Sequence, residues 1–168
     1  SYFSLESSYQ RPPVDKSGEY VIKIEETGRY VFVDSGELGT KWPGQDEGGL
    51  HFVLKRRAGG LYEIWSKVSM QIVQLLEFSG NTPLVQLADY DPNQAEALYL
   101  ATLTQQSGNS FKIKLGSSWH LADRSGIIAE TDGMTFLLEN GFQPAEDLAG
   151  IYYPKMKTSG RQLFFDGN

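Results

Sequence analysis

Asp89-Tyr90-Asp91-Pro92-Asn93 places three oxygen-bearing side chains at alternating positions, the spacing with which an EF-hand calcium loop opens. The remainder of such a loop is missing. Its sixth position is Gln94 and its twelfth is Leu100, where the motif needs a glycine and a bidentate glutamate. Asp91, Pro92 and Gln94 read better as a helix start, with a side-chain cap, proline at the first helical position and a capping-box glutamine. Asp89, Asp91 and Asn93 are therefore weak metal candidates, and no micromolar calcium site is expected.

A second cluster is Trp119-His120 followed by Asp123. Imidazole and carboxylate are a common proton-transfer pair, so a hydrolase using His120 and Asp123 is one reading. Nothing nearby supplies its nucleophile. The chain has no Gly-x-Ser-x-Gly elbow, the turn that exposes a serine in α/β-hydrolases. His51 and His120 lack the i, i+4 spacing of a zinc helix. Neither a P-loop nor a strand-linked Gly-x-Gly-x-x-Gly occurs, which removes the familiar nucleotide cradles. Adjacent acids such as Glu25-Glu26 and Asp46-Glu47 point to opposite faces of a strand and do not converge on a substrate. With no cysteine in the chain, disulfides, thiolate nucleophiles and cysteine-based metal sites are excluded. No cofactor is expected.

Lys41-Trp42 lies in the segment 35–49, which holds five glycines and shows no strand pattern. A long glycine-rich loop carrying a stiff aromatic anchor suits partner or ligand contact. The candidate binding residues are thus Lys41, Trp42, Trp119 and His120. Lys55-Arg56-Arg57 is the one basic run and reads as the solvated tip of a hairpin.

The elements that must carry these residues are strands. Tyr20, Ile22 and Ile24 alternate with Lys23 and Glu25, the two-residue period of a half-buried strand. This run is expected to turn at 26–28 into 29–33. Further hairpins are expected to join 51–55 with 61–65, 70–78 with 84–88, and 98–104 with 111–115. A fifth joins 126–131 with 134–138 through Asp132-Gly133, the strongest short hairpin signal. Short helical turns are expected after Asp91 and at 144–149. Consecutive hairpins without crossover helices predict an all-β chain, antiparallel, closed as a barrel or folded as a sandwich. Bulky residues including Phe32, Ile64 and Trp65 are expected to fill its interior. The hairpins differ in sequence and their spacing drifts, so no internal repeat is read.

Of 168 residues, 40% are apolar, and 15 basic against 21 acidic side chains leave a net charge of −6. A single domain of ordinary composition follows. Nucleic-acid binding is not expected without a basic footprint. The longest apolar run, 97–101, is far short of a transmembrane helix. Residues 1–17 carry serines and Pro12-Pro13 and read as a leader or tether, with one β-rich domain over 18–168. The start at Ser1 also suits an envelope lipoprotein trimmed of its lipid-bearing cysteine. The leading expectation is a non-catalytic binding module of the bacterial envelope or exterior, its partner an unidentified protein. The alternative is a small β-barrel that carries an apolar ligand inside.

Overall fold

A computed structural model describes residues 14–77 and 81–142. Twelve strands order this region: β1 (Gly18–Ile24), β2 (Tyr30–Asp34), β3 (Glu37–Lys41), β4 (His51–Arg56), β5 (Tyr62–Ser66), β6 (Ile72–Leu76), β7 (Leu84–Ala88), β8 (Ala101–Ser107), β9 (Ser110–Leu115), β10 (Trp119–Asp123), β11 (Ile127–Glu130) and β12 (Thr135–Glu139). Every pairing is antiparallel, and following them around gives a closed ring: β1 pairs β4, β4 pairs β5, β5 pairs β8, β8 pairs β9, β9 pairs β12, and β12 returns to β1. Closure leaves the ring no open edge. The other six strands form three hairpins, β2–β3, β6–β7 and β10–β11, which touch one another through β3, β7 and β11 and cap one end of the barrel.

The chain therefore repeats a four-strand unit three times, over residues 18–56, 62–107 and 110–139. Each unit sends its first strand along the barrel, makes one cap hairpin and returns. The same register recurs: Lys23 meets Tyr30, Trp65 meets Ile72, and Lys114 meets His120. One face of each first strand supplies the interior: Tyr20, Ile22 and Ile24, then Tyr62, Ile64 and Ser66, then Phe111, Ile113 and Leu115. Phe52 and Phe136 fill the axis and are fully buried. The void left among these side chains is about 20 Å³, room for one water by size but walled by hydrocarbon. A void of that size holds no apolar ligand, so the centre of the barrel, among the described residues, gives the carrier alternative no site.

Three of the expected hairpins form as read, namely β4–β5, β6–β7 and β8–β9. Two do not. β1 meets β2 at a single pair of residues and takes its main partners from β12 and β4. Asp132-Gly133 does not join β11 to β12, because β11 pairs β10 while β12 crosses to β1 and β9. Gly133 is needed there for another reason. It has φ +75°, and a Cβ on it would lie 2.4 Å from Cβ of His120, so only glycine lets the chain pass from cap to barrel.

The segment 35–49 is also more ordered than its composition implies. It contains β3, in register with all of β2 from Tyr30–Lys41 to Asp34–Glu37. Phe32 and Trp65 do not enter the main core. Alternation turns both outward, into small outer clusters around Tyr30 and Leu50 and around Ile72 and Tyr99. After Asp91 the chain makes a tight turn, with Asp91 Oδ1 accepting the Asn93 N–H at 2.9 Å, then one 3-10 turn at Glu96–Leu98. The expected turn at 144–149 and residues 1–13 of the expected leader lie outside the described residues. No helix of the described residues is long and apolar enough to cross a membrane.

Candidate binding cleft on the first hairpin

Residues paired across antiparallel strands project from the same face. On β2–β3 the inner face carries Val31, Val33 and Leu38 into the core. The outer face therefore carries Tyr30, Phe32 and Asp34 opposite Lys41, Gly39 and Glu37. Gly39 stands across from Phe32 and has no side chain to fill the space beside the ring. An open cleft of about 350 Å³ results, lined by Phe32, Asp34, Glu37, Gly39 and Lys41 together with parts of Leu38 and Thr40. Its polar groups are two exposed carboxylates, Asp34 and Glu37, and the Lys41 ammonium. Lys41 Nζ lies 4.1 Å from the Phe32 ring centroid and 2.8 Å from Glu47 Oε2. The ring is backed by Gly49, where a Cβ would sit 2.8 Å from Phe32 and 2.2 Å from the Val33 carbonyl oxygen. That close approach fixes the ring's position.

The next residue, Trp42, is 69% exposed. Its indole is held by the Arg29 guanidinium, 5.3 Å from the ring, a cation–π contact. Arg29 is itself anchored. Its Nε and Nη2 donate to Thr40 Oγ1 at 3.0 and 2.8 Å, and Nε lies 3.2 Å from Asp123 Oδ2. The Asp123 side chain is 1% exposed. Its carboxylate accepts from Thr27 Oγ1 at 3.1 Å, Thr40 Oγ1 at 3.0 Å and the Gly126 N–H at 3.1 Å. A buried carboxylate of the third unit thus orders the loop and hairpin of the first.

Of the residues singled out from sequence, Lys41 and Trp42 stand together at the end of β3, whereas Trp119 and His120 sit on β10 in another unit. Trp119 packs partly buried against the core. His120 Nδ1 is buried and hydrogen-bonds to nothing among the described residues. His120 and Asp123 are three apart on a strand and face opposite ways, and the Asp123 oxygens are occupied as described above. The two do not form a proton-transfer pair. Asp89 and Asp91 are exposed and bonded elsewhere, Asp89 Oδ1 accepting from Gln71 Nε2 at 3.1 Å. The described residues hold no group of three or more metal-ligating side chains. Sequence reasoning missed Phe32, Asp34 and Glu37 as cleft residues. The signal was present in the alternation of Tyr30, Phe32 and Asp34 on β2, but it becomes a site only once β3 supplies Gly39 opposite the ring.

No protein-family model and no curated protein sequence matches this chain. Solved structures do. The Macrolepiota procera ricin B-like lectin in complex with lactose has a TM-score of 0.58 at 10% identity, covering 76% of this chain and 99% of that one. SeviL bound to asialo-GM1 saccharide gives 0.59 at 17% identity, with 76% and 100% covered. The BEL beta-trefoil gives 0.57 at 16% identity, with 76% and 97% covered. What the likeness shows at such identities is the architecture, and the six-stranded ring capped by three hairpins is a β-trefoil.

Proposed function

We propose that this chain is a non-catalytic carbohydrate-binding module and that the β2–β3 cleft is its saccharide site. The observation that carries the reading is the open cleft on the outer face of that hairpin, where Gly39 leaves space beside Phe32, and Asp34, Glu37 and the Lys41 ammonium seated over the ring supply the polar groups. A sugar ring offers a C–H face and a set of hydroxyls. The C–H face suits contact with the edge of Phe32 and the Lys41 stem that lies over it, and the exposed Trp42 indole stands just beyond the cleft at the end of β3. Carboxylates accept from neighbouring hydroxyls and the ammonium donates to them, the charge-assisted bonds that fix orientation in a small site. Two of the β-trefoil neighbours carry saccharides, lactose in one and asialo-GM1 saccharide in the other, which supports the ligand class.

The test is a glycan array followed by titration of the best ligand into wild type, Asp34→Asn and Trp42→Ala. Binding reduced about tenfold or more in Asp34→Asn is expected, since a charged acceptor is lost. Absence of binding to every glycan, or wild-type affinity in Asp34→Asn, would overturn the assignment. The place of work under this reading is the bacterial envelope or exterior, where a chain without thiols is at no disadvantage. Recovery of the native protein solely from the cytosol on fractionation would refute that part.

A further inference from the structure

The barrel has a second end. The β4–β5 and β8–β9 connections lie there, away from the three cap hairpins. Along β4 the inward face reads Phe52, Leu54, Arg56, and along β8 it reads Ala101, Leu103, Gln105. Alternation therefore carries two core stripes out to a polar residue each at the mouth. The mouth encloses a cavity of about 150 Å³, lined by Lys16, Arg56, Tyr62, Leu103, Gln105 and Phe111 among others.

The chemistry of this lining is one-sided. Its floor is Leu103 and the aromatic rings of Tyr62 and Phe111. Its charged groups are both cations, in a chain whose net charge is −6. Among the described residues neither Lys16 nor Arg56 has a carboxylate within 4 Å. Asp15 feels Arg56 at longer range, but its Oδ1 accepts from the backbone N–H and hydroxyl of Ser17. Lys16 Nζ donates to Asn109 Oδ1 at 2.8 Å, which uses one of its three hydrogens. Tyr62 is 4% exposed, and its hydroxyl accepts the Lys16 backbone N–H at 2.8 Å. That leaves the hydroxyl hydrogen without an acceptor among the described residues. Three donor residues thus line one cavity over an apolar floor, two of them charged.

We propose that the barrel mouth is a second ligand site, separate from the β2–β3 cleft, and that it takes a small monocarboxylate with an apolar body. The carboxylate accepts from the Arg56 guanidinium, the Lys16 ammonium and the Tyr62 hydroxyl, and the body lies on Leu103 and Phe111. A cavity near 150 Å³ holds one six-membered ring, so an aryl or short alkyl carboxylate matches the volume. The planar Arg56 fork suits a carboxylate bidentately.

The probe is benzoate, titrated into the full chain and followed by 1H–15N NMR, with benzyl alcohol and acetate as controls. Saturable shifts of the amides of Lys16, Arg56, Tyr62 and Phe111 are expected, with a Kd of about 1 mM or tighter, within reach of so small a ligand. Benzyl alcohol, lacking the charge, and acetate, lacking the ring, should each bind about tenfold more weakly or worse. Arg56→Gln should lower benzoate affinity about tenfold. Gln105→Glu, which sets a carboxylate beside Arg56, should do the same by repelling the ligand. Both residues are exposed, and the variants' own spectra report that the fold is kept. No saturation, shifts confined to other parts of the protein, acetate binding as tightly as benzoate, or wild-type affinity in both variants would overturn the proposal.

Discussion

Asp123→Ala tests whether the third unit holds the first in place. The carboxylate is buried and takes an ion pair with Arg29 together with bonds from two threonine hydroxyls and one backbone N–H. Hydrogen bonds to a charged group contribute about 1.5–3 kcal/mol each and do not add. Breaking a buried pair costs about 3–5 kcal/mol, because the surviving charge is left uncompensated. Arg29 is 29% exposed and can turn partly to water, which points to the lower end, about 3 kcal/mol. A domain of this size has about 5–15 kcal/mol to lose. Urea unfolding of wild type, Asp123→Ala, Arg29→Ala and the double variant closes a cycle whose coupling energy should be about 1–3 kcal/mol. Because Arg29 also lies over Trp42, Asp123→Ala should alter the emission of that tryptophan in the folded protein. A loss below about 1 kcal/mol, or singles and double that simply add, would refute the claim that Asp123 orders the first hairpin through Arg29.

Trp65 donates its Nε1 hydrogen to Glu63 at 2.8 Å and packs on Tyr90, so Trp65→Ala should cost about 2 kcal/mol, less than a fully buried tryptophan would. Trp42→Ala should cost under about 1 kcal/mol, as exposed positions usually do; the reverse order in urea melts would make Trp42 a structural plug. The Tyr30 hydroxyl is pushed up to about 12, first by burial and then by its bond to Glu139. A folded value above the unfolded value of about 10 means that its stabilising contribution is complete below pH 10 and lost as pH rises toward 12. Tyr30→Phe should therefore flatten the alkaline limb of a stability–pH profile, and an unchanged limb would contradict the assignment. Calcium at 1 mM should leave the melting temperature where general salt effects put it, whereas a micromolar site would add upwards of about 2.7 kcal/mol.

What the amino-acid sequence determined by itself is the strand character and the local pairings. The alternation of Tyr20, Ile22 and Ile24 marks a buried face wherever the strand goes, because the side-chain period of an extended chain is two. Gly59-Gly60 and Gly108-Asn109 join neighbouring strands as read, their glycines taking the positive φ that such turns need. Asp132-Gly133 carries the same local signal, yet its two strands part. Which strands meet across the ring depends on contacts far apart in the chain, such as Ile22 with Leu138, and no local pattern encodes them. The threefold repetition was hidden for a related reason. Equivalent positions need only fill equivalent space, so Val33, Leu75 and Asp123 can occupy corresponding places on β2, β6 and β10. The carboxylate among them broke the apolar pattern that would have revealed β10. Lys41 and Trp42 were legible because a tryptophan among glycines stands out. Phe32, Asp34 and Glu37 became a cleft, and Arg56 with Lys16 a charged mouth, only when the closed barrel and its caps set the separate segments side by side.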